Sequence, residues 1–121
     1  MKTYQYIIMA ALGTGFGLTV QSAELKSSPL LIEKGKAAYS ANCVICHGEN
    51  GDGNGVAGAA MNPKPRNFMT EKFKQGTAPK LVFKSISEGL KNTSMTGYGH
   101  LTEEDRWGLS YYVLSLRTAK K

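Results

Sequence analysis

Apolar positions recur at helical spacings in three stretches of the chain, and glycine and proline separate the stretches. The first runs from about Leu31 to Cys46, where Ile32, Tyr39 and Cys43 fall at helical intervals with the small residues Gly35 and Ala38 beside them. Glycine inside a helix costs about 1 kcal/mol relative to alanine, so Gly35 predicts the close approach of another helix. A shorter helix is predicted over Pro79 to Leu90: proline suits its first turn, and Val82, Phe83, Ile86 and Leu90 form an apolar stripe. The last helix is the clearest. Thr102 is a good N-cap, Glu103, Glu104 and Asp105 complement the positive end of the helix dipole, and Arg117, Lys120 and Lys121 suit its negative end. Leu109, Tyr112, Val113 and Leu116 make one face of this helix, with Trp107, Tyr111 and Leu114 alongside.

The connections are long. Gly48 to Gly58 is a glycine-rich loop, and Pro63 and Pro65 forbid a helix interior or central strand between Met61 and Phe68. No alternating run suggests a sheet and no internal repeat is visible, so the fold class predicted is all-α with long loops. The 121 residues make one domain. A chain of this size with such loops buries little apolar surface, so something besides side chains should fill its middle.

Composition narrows the class. With 41% hydrophobic and 20% charged residues the chain is neither a disordered tail nor a multi-span membrane protein. Residues 1–23 have the layout of a secretory signal peptide: Lys2, an uncharged and largely apolar run from Tyr6 to Val20, then the small residues Ser22 and Ala23. Cleavage after Ala23 or Ser22 leaves a domain over residues 24–121. An uncleaved anchor is the alternative, but the run is shorter than the roughly 20 apolar residues of a spanning helix, and Gly13, Gly15 and Gly17 weaken it. The compartment expected is a bacterial periplasm.

Two cysteines are too few for a disulfide-dense scaffold, an all-cysteine zinc site or an iron–sulfur cluster. They stand in Cys43-Val44-Ile45-Cys46-His47, the attachment signature of c-type haem. Two thiols three residues apart reach the two vinyl groups of one porphyrin, and the adjacent imidazole is directed to the iron. A redox dithiol would sit near a βαβ pattern, which is missing, and a zinc site would need His100 at an unusual spacing. A second axial ligand must come from downstream, where Met61, Met69, Met95 and His100 are the candidates. Met95 is favoured because it lies in a glycine-flanked segment, Gly89 to Gly99, just before the last helix; Met61 is its competitor, and an isolated methionine is otherwise core filler.

From about Leu31 to Leu116 the chain resembles a class I c-type cytochrome, and within that group the periplasmic monohaem proteins related to the cytochrome subunits of cbb3-type oxidases. The matching residues are Gly35, Tyr39, Cys43 to Gly48, Gly51 to Gly55, Pro63 to Phe68, Gly89-Leu90, Met95, and Leu101 to Leu116. The resemblance implies the class I fold, helices wrapped around one covalently bound haem c. It implies thioethers at Cys43 and Cys46, ligation by His47 and Met95, and packing of Gly35 and Tyr39 against Leu109 and Tyr112. It also implies a backbone carbonyl near Pro63 or Pro65 that accepts the His47 ring proton, and an Arg66 that pairs with a haem propionate. Proline commonly follows the distal methionine in this family and Thr96 stands there instead, which predicts a freer loop and a more readily broken iron–sulfur bond.

Two other motifs are decoys. Gly53 to Gly58 matches a dinucleotide fingerprint but follows the Cys43–His47 turn rather than a strand, and Pro63 and Pro65 prevent the helix that should come next. Asn50 to Gly55 resembles the start of a calcium loop whose twelfth position would be Met61 rather than glutamate. Those glycines are expected to let backbone pass close to the porphyrin edge. The net charge of +6 lies on scattered lysines and lacks a nucleic-acid-binding motif. The function expected is a soluble electron carrier, not an enzyme: a monomer meeting redox proteins with acidic docking surfaces, and membranes only through a partner complex or an uncleaved signal. The rival readings are a haem subunit of a larger oxidoreductase and a small peroxidase or gas-binding protein with a labile distal methionine.

Overall fold

A computed structural model of the chain describes residues 23–119, so the leader read in residues 1–23 lies outside the described residues except for Ala23. The elements are α1 (Pro29–Asn42), α2 (Val44–His47), a single 3-10 turn at Gly58–Ala60, α3 (Pro79–Glu88) and α4 (Glu103–Thr118). There is no strand among the described residues, and the fold is the all-helical one expected. None of the described helices is long and apolar enough to cross a membrane.

The first helix differs from its sequence pattern at both ends. Ser28 caps it, its side chain accepting from the Leu31 amide at 3.1 Å, and Pro29 opens the first turn. It stops at Cys43, where the backbone swings to φ −115°, and helix resumes as α2. The apolar periodicity runs through this break and conceals it. Further on, α3 ends at Glu88 with Gly89 as its cap, leaving Leu90 outside the helix. Thr102 caps α4 as expected, its hydroxyl accepting from the Asp105 amide.

Gly35 meets a second glycine. A Cβ placed on Gly35 would lie 2.0 Å from the Gly108 carbonyl oxygen, so α1 and α4 cross backbone to backbone. Tyr39 packs edge-on to Tyr112 with ring centroids 5.1 Å apart, and Leu109 is buried beside them. Because the obstacle is backbone rather than a movable side chain, Gly35→Ala must push the helices apart. Overpacking of this kind costs about 1–3 kcal/mol or more, or roughly 10 °C of melting temperature at about 4–8 °C per kcal/mol in a domain this small. A melting curve for Gly35→Ala within about 2 °C of the parent would contradict it.

Helix α3 leans on α4 from another side, with Phe83 stacked on Trp107 at 4.3 Å. The buried cluster is Tyr39, Val82, Ile86, Leu109 and Val113, drawn from α1, α3 and α4. This cluster is small. Its members line a cavity.

Candidate functional site

The short helix α2 carries the Cys43–His47 motif, and the glycine loop holds its far end. Amides of Gly53, Gly55 and Ala57 donate to the carbonyls of His47, Cys46 and Ile45 at 2.8, 3.2 and 2.9 Å. A helix this short leaves nearly all its C-terminal carbonyls without partners of its own, and the loop supplies them. A Cβ on Gly55 would lie 2.4 Å from the Ile45 oxygen, so the loop closes on α2 only through glycine. None of the residues from Gly48 to Gly58 lines the cavity. The expectation that these glycines pass close to a porphyrin edge is therefore corrected: they bind helix carbonyls. Asp52, from the calcium-like stretch, accepts the Asn54 amide at 2.9 Å and belongs to a local turn.

The cavity has a volume of about 630 Å³, within the ~300–1,000 Å³ of small-molecule and cofactor sites. Cys43, Cys46, His47, Met95 and Arg66 all line it, as does Met61; Met69 and His100 do not. The two methionines come from different walls. Met61 follows the 3-10 turn, its amide bonded to the Gly58 carbonyl at 3.1 Å, and Gly58 abuts the Cys46 carbonyl, so Met61 belongs to the wall that carries α2. Met95 lies on the segment between α3 and α4, its carbonyl accepting from Leu90 at 3.0 Å and its amide donating to the Thr93 hydroxyl at 3.1 Å.

His47 sits face to face with Phe68, ring centroids 4.5 Å apart and planes 20° from parallel. Arg117 of α4 holds Phe68 from behind, donating to its carbonyl at 3.0 Å with the guanidinium over the Phe73 ring. Burial holds the His47 imidazole below its ordinary pKa, against a smaller opposing effect of the Arg66 backbone. Its Nδ1 is buried and makes no hydrogen bond of full geometry, although the Arg66 backbone, next to Pro65 where a carbonyl acceptor is expected, lies close enough to act on the ring. The Pro65 carbonyl faces Gly53 instead. Arg66 reaches the cavity wall, but its guanidinium contacts Glu71 and the Lys72 carbonyl. Neither Phe68 on His47 nor a partner for Gly108 announces itself locally in the sequence; each contact joins distant segments.

These residues suit a covalently held haem. Both thiols are free, and burial, with the neighbouring Cys46, pushes the Cys43 thiol up to about 11. Dithiol catalysts and thiolate metal sites need the opposite shift. An apolar wall, two free thiols at the right spacing and an imidazole held neutral by burial instead match a flat, largely apolar group tethered at one edge. The described residues contain no cluster of three or more His, Cys, Asp or Glu that would hold a metal ion by itself.

Comparison with known proteins agrees. A family model described as cytochrome c matches residues 32–117. A chain of the reducing HAO-like protein complex of Kuenenia stuttgartiensis superposes with a TM-score of 0.71 at 33% identity. That match covers 78% of this chain and 47% of the other, so the chain spans about half the length of that relative. No match is found among curated proteins. The chain belongs to the cytochrome c family, a family of haem-dependent electron-transfer domains, and its haem c is bonded through Cys43 and Cys46.

Proposed function

We propose that this cytochrome c is an exported, periplasmic electron carrier with one haem ligated by His47 and Met95. The observation that carries the reading is a cavity whose walls bring Cys43, Cys46 and His47 together with Met95. Haem c, when bound, supplies reversible one-electron exchange at its iron. The chain does the rest. His47 is held neutral by burial and flat against Phe68, ready to bind through its other ring nitrogen. Met95 would supply the second protein ligand to the iron, which would leave a substrate no open site, and a thioether ligand raises the reduction potential relative to a second imidazole. Tyr39, Val82, Ile86, Leu109 and Val113 exclude water from the middle of the group. Arg66 would hold a propionate by giving up its bond to the Lys72 carbonyl and its contact with the exposed Glu71, an ion pair of the kind that contributes little.

The cavity rim carries Lys64, Lys74, Lys84 and Lys91, all exposed. These four lysines, against one acidic neighbour in Glu88, give the cavity surround a positive field that steers the molecule to acidic docking surfaces on its redox partners, most strongly at low ionic strength. On the matched motifs we place the chain with the periplasmic monohaem proteins related to the cytochrome subunits of cbb3-type oxidases, and we assign residues 1–23 to a cleaved leader. A second reading, a haem subunit of a larger oxidoreductase, is favoured by the chain in the Kuenenia complex; copurification from native membranes and soluble fractions separates the two.

Acid acetone and one spectrum test the proposal. Haem should stay with the polypeptide after extraction, adding one haem to its mass, and the oxidised protein should show the weak near-infrared absorption of methionine ligation. Haem lost to the solvent would refute covalent attachment. A spectrum without that near-infrared absorption would refute the Met95 assignment alone.

A further inference from the structure

The segment carrying Met95 is not the free loop that Thr96 in place of proline suggests. It is bonded at several points. The Thr93 hydroxyl donates to the Leu90 carbonyl at 2.8 Å and accepts the Met95 amide, while the Leu90 amide donates to the Met95 carbonyl. These bonds close the turn upon itself but do not attach it to the opposite wall. Tyr98 does. Its amide donates to the Ile86 carbonyl in α3 at 2.8 Å, and its carbonyl accepts from Leu101 at 3.0 Å. Its phenol crosses to α1 and donates to the Asn42 carbonyl at 3.2 Å.

The position of that acceptor matters. Asn42 is the last residue of α1 and precedes Cys43, the first tethering cysteine. Its carbonyl is among those a helix end leaves without intrahelical partners, so the phenol meets a group that needs one. The Tyr98 ring also lines the cavity and packs against the buried cluster. One side chain thus fixes the span between the segment that carries the distal methionine and the turn that carries the haem.

We propose that Tyr98 is a positioning residue for the distal ligand: its hydroxyl latches the Met95 segment to the haem-attachment turn and opposes withdrawal of the methionine from iron. The proposal rests on the His47/Met95 reading. Met95 sits three residues from the latch, within a turn closed by the Thr93 and Leu90 bonds, so a withdrawal of the methionine that moves its backbone carries the segment with it as a unit. Swinging breaks the Tyr98–Asn42 bond. An external ligand that displaces Met95 must therefore overcome that bond as well as the iron–sulfur bond.

The test is an imidazole titration of the oxidised, haem-loaded, full-length protein at fixed pH, read by loss of the near-infrared absorption. Tyr98→Phe removes one oxygen and keeps the ring, and should raise the apparent imidazole affinity about fivefold, the worth of one typical hydrogen bond. Tyr111→Phe is the control: it also removes a phenol–backbone bond, to the Leu25 carbonyl, far from the cavity lining. It should leave the affinity unchanged even if it lowers the melting temperature. Equal affinities for Tyr98→Phe and the parent would overturn the latch while leaving Met95 ligation intact, as would equal increases in both phenylalanine variants. A parent protein without the near-infrared absorption would overturn the ligation reading and the latch with it.

Discussion

The Cys43→Ala, Cys46→Ala double variant, prepared free of haem, is expected to be largely unstructured. The buried cluster of five residues lines the cavity rather than filling it. A dry void of 630 Å³ would cost about 15 kcal/mol at the ~24 cal/mol per Å³ measured for emptied cores. That equals or exceeds the whole stability of a typical domain, about 5–15 kcal/mol. Water entering through the lysine-lined mouth removes part of this penalty but leaves Tyr39, Val82, Ile86, Leu109 and Val113 wetted, so the hydrophobic term is lost instead. The loops offer no compensation, since they bond chiefly to α2 and to themselves. Far-UV circular dichroism should show little helix and no cooperative melting; a native-like helical spectrum with a sharp transition would end the idea that haem is the core.

Met95→Ala should open the sixth axial position, abolish the near-infrared absorption and admit small ligands. The potential should fall by on the order of 0.1–0.2 V, part of the ~0.8 V over which axial ligands tune haem. Met61→Ala should leave the potential nearly unchanged, although Met61 lines the same cavity, because it stands on the wall that already supplies His47. Its cost should be packing, about 2–3 kcal/mol at most for a half-buried methionine. Voltammetry of both variants decides the matter. If Met61→Ala removes the methionine absorption and Met95→Ala retains it, the two assignments exchange.

Much of the site was legible because its chemistry is written at fixed spacing. Cys43, Cys46 and His47 fall together by virtue of one helical turn, whatever the rest of the chain does. The capped last helix was legible for the same local reason: Thr102 and the acidic turn after it act within a few residues. What stayed hidden depends on distant partners. The pairing of Gly35 with Gly108, the stack of Phe68 on His47 and the reach of Tyr98 to a residue 56 positions earlier have no local signal. The break at Cys43 was masked because the apolar period continues through it. The glycine loop misled for a different reason. Glycine marks close approach without naming what approaches, and here the approaching group is a helix end.

The crossing of α1 and α4 has a consequence in time. Its rim pair, Lys34 and Glu104, stands 70 residues apart, and contacts over such spans form slowly because much of the chain must be brought together first. Before α4 packs on α1, Cys43 and Cys46 lack the cavity wall that Leu109 and Val113 of α4 supply. In the folded chain Cys43 is half-buried on the cavity wall, and burial raises its thiol pKa, which disfavours the reactive thiolate. Thioether formation is therefore expected to be easier before the chain ends meet, and if the chain does not close without its haem, as expected above, that interval stays open for as long as attachment takes.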